Sequence, residues 1–65
     1  MNITINGEAA SIDPFSVQEY LLHIGIDPRR VAVELNREIL PKGEYPGTTL
    51  KEGDSLEIVH FVGGG

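Results

Sequence analysis

A single stretch of this sequence, Val17 to Ile24, has the periodicity of a helix, and that limits the possible folds more than any other feature. Val17, Tyr20, Leu21 and Ile24 recur at i, i+3, i+4 and i+7 and form one apolar stripe, with Leu22 at its edge. Ser16 stands in front as N-cap, and Glu19 at the third helical position completes a capping box. Gly25 follows as the residue after the C-cap, and Pro28 forbids continuation. The other patterned segments alternate at period two. One helix covers one face of a sheet, so the opposite face is left to water or to a partner.

The alternating segments place the strands. Ile3 and Ile5 share a face, and Asn6-Gly7 supplies the two positive-φ positions of a tight hairpin turn. A return strand from Glu8 to Ile12 ends at Asp13-Pro14, because proline cannot donate to a ladder. From Val31 to Leu35 the pattern repeats, with Val31, Val33 and Leu35 toward the helix and Ala32 and Glu34 away from it. Asn36-Arg37-Glu38 reads as a turn and Ile39-Leu40 as a short strand closed by Pro41. Lys42 to Thr49 is turn-rich, with Tyr45 and Leu50 as anchors on the core. After the tight turn Lys51-Glu52-Gly53-Asp54, a last strand runs from Ser55 to about Val62. The expected class is α+β, a mixed four- to five-stranded sheet packed on one helix. Residues 1–62 form the domain, and 63–65 form a flexible glycine tail.

Composition narrows the function. A chain of 65 residues builds one small core with nothing over for a deep enclosed pocket. Without cysteine it makes no disulfide, thiolate zinc site or thiol nucleophile. Ten acidic against five basic residues, net −5, argue against nucleic-acid or anionic-membrane partners, which need clustered Lys and Arg. No apolar run reaches membrane-spanning length and no secretion signal is visible, so the expected location is the cytoplasm. His23 falls between stripe positions and points to solvent; His60 has inward parity on the last strand but lies at its rim. The carboxylates are scattered singly, with no calcium loop and no paired-histidine metal site. Glu34 and Glu57 become neighbours on the open face if the last strand pairs with the Val31 strand. No catalytic residue, metal ligand or bound cofactor is expected within the domain.

The ending Gly63-Gly64-Gly65 is the feature with chemical content. Three residues without Cβ atoms project about 10 Å beyond the last strand when extended. Such an arm threads a slot too narrow for side chains and presents a carboxylate that is ionised at neutral pH. An ionised carboxylate is a competent nucleophile toward the α-phosphate of ATP. If Leu56 and Ile58 enter the core, then Glu57, Val59 and Phe61 line the uncovered face beside the arm as a contact patch.

The element order, the segment Val31-Ala32-Val33-Glu34-Leu35-Asn36, and the ending from Gly53-Asp54 through Glu57-Ile58-Val59-His60-Phe61-Val62 to the three glycines resemble the thiamine-biosynthesis sulfur carrier family. The resemblance covers the whole chain and is most specific in its last fifteen residues. It implies a ubiquitin-like β-grasp fold and a carrier rather than an enzyme. It also implies that Gly65 is adenylated by an ATP-dependent, ubiquitin-activating-like enzyme and converted to a thiocarboxylate with sulfur from cysteine through a desulfurase. Thiazole synthase then receives that sulfur. Gly64 matches the penultimate glycine that enters both partners, and Gly63 extends the arm. A free carrier of this kind is most simply a monomer.

Three other readings compete. The small subunit of molybdopterin synthase shares the fold but is commonly longer, with prolines before its Gly-Gly end where Phe61-Val62 stands here. Carriers that modify transfer RNA or proteins are longer still. A β-grasp interaction module with an inert tail predicts that deleting Gly64 and Gly65 changes nothing.

Overall fold

The computed structural model describes residues 1–61. Five strands form one sheet: β1 (Asn2–Ile5), β2 (Glu8–Ser11), β3 (Val31–Leu35), β4 (Glu38–Leu40) and β5 (Ser55–His60). Helix α1 (Val17–His23) lies between β2 and β3 in sequence, and 3-10 turns occupy Pro28–Arg30 and Lys42–Glu44.

Local chemistry accounts for the boundaries. Asn6 and Gly7 turn the first hairpin with φ of 48° and 82°. The capping box forms: the Ser16 amide donates to Glu19 Oε1 at 2.8 Å, and the Glu19 amide donates to Ser16 Oγ at 3.0 Å. The helix end corrects one expectation. Ile24 is the C-cap and is exposed rather than part of the buried stripe. Gly25, at φ 81°, reverses the chain so that its amide reaches Leu22 O and the Ile26 amide reaches Leu21 O. That Schellman geometry swings Ile26, not Ile24, against the core. Pro28, expected as a stop, also opens a 3-10 turn capped by Asp27.

Three strand limits shift as well, the first being β2, which closes at Ser11 rather than Ile12. Glu38 belongs to β4, opposite Leu35, because Asn36 and Arg37 make the turn alone with φ of 52° and 70°. β5 closes at His60, and Val62 lies outside the described residues.

The sheet order is β2-β1-β5-β3-β4, with β1 and β5 parallel and the other neighbours antiparallel. β5 is therefore the central strand although it comes last in sequence. Ile3, Val33, Leu56 and Ile58 face α1, whose Val17, Tyr20 and Leu21 complete the core with Val31, Tyr45 and Leu50. Tyr45 and Leu50 anchor the long turn as expected, each 1% exposed, and Tyr45 Oη donates to Val31 O at 3.3 Å. Burial pushes the Tyr45 hydroxyl pKa up. Among the described residues no helix is long and apolar enough to cross a membrane.

Candidate functional site: the open sheet face and the root of the tail

Alternation along β5 sends Leu56 and Ile58 into the core and Glu57 and Val59 to the face away from α1, and Phe61 follows the strand as a half-exposed residue. Val59 is 58% exposed and Phe61 50% exposed. Opposite Val59 stands Ala32, whose single methyl leaves the valine uncovered. Ile39 on β4 shares this face and is 79% exposed, the most exposed large apolar side chain among the described residues. The alternation around Leu40 was the signal that could have placed Ile39 there. Leu40 pairs with buried Val33 and so points inward, which turns its neighbour out.

Charge on the face is one-sided. Glu34 and Glu57 are direct cross-strand partners, and Ile39 flanks Glu34 on its other side. Like charges in direct register repel, so this row is not arranged for the stability of the isolated chain.

At the end of β5 the chain is tied down on two sides. The Phe61 amide donates to Arg30 O at 3.0 Å, one step past the last ladder pair, Val31 and His60. Above the Phe61 ring sits the Lys42 ammonium, 4.6 Å from the ring centroid, and the same Nζ donates to Arg29 O at 2.7 Å. Lys42 carried no signal in the sequence pattern; it is brought to Phe61 by the turn that Tyr45 anchors. Beside it Arg29 makes a two-point pair with Asp27, which also caps the 3-10 turn through the Arg29 amide. The Arg29 side chain, then its amide, hold the Asp27 carboxyl down at about 2.

Of the expected site residues, Glu57 and Val59 lie on the open face, Phe61 is half exposed just past β5 under the Lys42 ammonium, and Gly63, Gly64 and Gly65 lie outside the described residues. His60 is exposed at the rim, opposite Val31. His23 is exposed too, though its ring rests against Phe15 with 4.9 Å between centroids. On the helix side a surface groove of about 550 Å³ runs past Leu22, Ile26, Pro28 and Tyr45, with Arg29 and Lys42 lining it. Among the described residues no three His, Asp or Glu side chains converge as metal ligands.

A mixed five-stranded sheet gripping one helix, with its central last strand leading out at an uncovered apolar face, defines the ubiquitin-like β-grasp class. The family model that matches is that of the ThiS family, over residues 3–65, and the chain belongs to this family. The crystal structure of the thiamine biosynthesis protein of Geobacter metallireducens superposes with a TM-score of 0.85 at 38% identity, covering all of both chains. The sulfur carrier protein of Bacillus subtilis is 42% identical over 53 residues, 82% of this chain and 80% of that one. A thiazole synthase of Paramagnetospirillum magneticum is 47% identical over 66 residues, which is all of this chain but 20% of the relative. The chain thus spans about a fifth of the length of that relative.

Proposed function

We propose that this chain carries sulfur for the thiazole ring of thiamine, with the Gly65 carboxylate as the loading point. The carboxylate oxygen attacks the α-phosphate of ATP in the active site of a ubiquitin-activating-like partner, and pyrophosphate leaves. The terminal sulfur of a persulfide, drawn from cysteine through a desulfurase, attacks the acyl carbon and AMP leaves; a thiol then cleaves the resulting acyl disulfide, is itself taken into a disulfide, and a thiocarboxylate remains. Thiazole synthase takes that sulfur. The chain is a co-substrate, and ATP is used by the partner rather than held here. All of these steps belong to the cytoplasm.

One observation carries the reading. The family model runs to residue 65, so its match takes in Gly63, Gly64 and Gly65 together with the fold. The geometry before the arm agrees with it: β5 is the central strand, its outward side chains Glu57 and Val59 stand exposed, half-exposed Phe61 follows them, and Ile39 lies two strands away on the same face. Partners that must grip the domain while the arm enters a slot dock on that face. A relative named thiazole synthase contains a segment like this whole chain, which supports thiazole synthase as the recipient. Joining carrier and recipient raises the effective concentration of one for the other.

Intact-protein mass spectrometry after incubation with the activating enzyme, ATP and a sulfur donor tests the proposal. The expected product has gained one sulfur in place of one oxygen, mapped to Gly65. An unchanged mass with an enzyme that loads its own carrier would overturn it.

A further inference from the structure

Lys42 is an exposed lysine held at both ends. Its backbone opens the 3-10 turn Lys42–Glu44, which is fastened to the core by the next residue: the Tyr45 amide donates to Lys42 O at 3.1 Å, and Tyr45 itself is buried. At the other end its ammonium donates to Arg29 O at 2.7 Å and lies 4.6 Å from the centroid of the Phe61 ring. The chain holds twice as many acidic as basic side chains, ten to five, yet this cation is engaged by a carbonyl and an aromatic face. Phe61 needs such a contact. The ladder of β5 ends at His60, and beyond it, among the described residues, the Phe61 backbone is held by the bond from its amide to Arg30 O. A strand end with a single bond and a half-exposed ring frays readily.

We propose that Lys42 is a positioning residue for the C-terminal arm. By holding Phe61 between the Arg29–Arg30 backbone and its own ammonium, it sets the direction in which the chain leaves the sheet. The inference rests on the carrier reading: a short arm of fixed origin reaches a partner's slot more often than one whose root also swings, because less orientational freedom is lost on engagement. A contact of this kind at an exposed site corresponds to about a two- to fivefold effect. The accompanying hydrogen bond to Arg29 O raises the expected range to about tenfold.

The test compares Lys42→Met, which keeps the stem and loses the cation, with Lys42→Arg, which keeps both a cation for the ring and donors for the carbonyl. Thiocarboxylate formation by the activating enzyme is followed by mass spectrometry as a function of carrier concentration, and the Phe61 amide by nitrogen-15 relaxation. Lys42→Met is expected to raise KM about three- to tenfold with kcat nearly unchanged. Its Phe61 amide order parameter should fall from about 0.85 toward 0.6 while circular dichroism stays native. Lys42→Arg is expected to recover most of both. A wild-type KM in Lys42→Met, or a Phe61 amide as rigid as before, overturns the proposal. If the wild-type chain takes up no sulfur, the carrier reading fails. The relaxation arm then decides on its own whether Lys42 holds Phe61.

Discussion

Two asparagines at hairpin turns hold the central strand from either side. Asn6, at φ 48°, donates its backbone amide to Leu56 O at 2.9 Å. Its side-chain amide then pairs with the Ile58 backbone, accepting at 2.7 Å and donating at 3.3 Å. The carboxamide thus stands in for the next residue of β1, which has already turned away into the hairpin. Asn36, at φ 52°, accepts from the Ser55 amide at 2.9 Å on the opposite edge of β5. Glycine at position 6 would keep the turn conformation and lose both side-chain bonds. Asn6→Gly is therefore expected to lower unfolding stability by about 2 kcal/mol in urea titrations. A midpoint equal to that of the wild type would show that water replaces those bonds without cost. Asp27 offers a second residue-scale check. Its carboxyl pKa is depressed from an ordinary 3.8 to about 2, so its contribution is present above the ordinary value and is lost as pH falls through about 2. Carbon-13 titration of Asp27 is expected to give that low midpoint; a midpoint near the ordinary value would mean that the Arg29 contact does not form in solution.

Among the elements, β3 and β5 combine the best-paired region of the sheet with its least favourable contact. Five residue pairs join them, and the outward ones are Ala32 against Val59 and Glu34 against Glu57. Neutralising one member relieves the repulsion without touching the core, so Glu57→Gln is expected to stabilise the domain by about 0.5 kcal/mol. The urea midpoint should rise at low salt, and the gain should shrink as salt screens the pair. A midpoint that falls would show that Glu57 has a favourable partner that outweighs Glu34. Helix α1, seven residues long, depends on its ends in a different way. An isolated helix of that length is marginal in water, so its capping box and its buried stripe must act together.

The molecule as a whole is a small platform on which a late strand becomes central. β5 lies between β1 and β3 and turns Glu57 and Val59 to the face that α1 leaves open. Docking and threading are then separable tasks. Phe61→Asp is expected to raise the KM for sulfur loading about tenfold or more while circular dichroism stays native, because it puts a charge into the apolar contact. Gly64→Ala should instead lower kcat at an unchanged fold, since the added methyl crowds the slot rather than the docking face. Unfolding of Phe61→Asp would reassign that ring to the core, and equal rates for Gly64→Ala would remove the threading argument.

Much of this was legible along the chain. Turn residues, the capping box, the Val31–Leu35 alternation and the outward parity of Glu57 and Val59 follow from steric and hydrogen-bond preferences acting over a few residues, which the sequence displays directly. Three things needed the tertiary structure: the exchange of Ile26 for Ile24 against the core, the meeting of Glu34 with Glu57, and the seat of Lys42 over Phe61. Each depends on where a chain reversal or a distant strand ends up. Phe61 and Lys42 are nineteen residues apart in sequence and meet because burial of Tyr45, Val31 and Leu56 in one core brings their elements together.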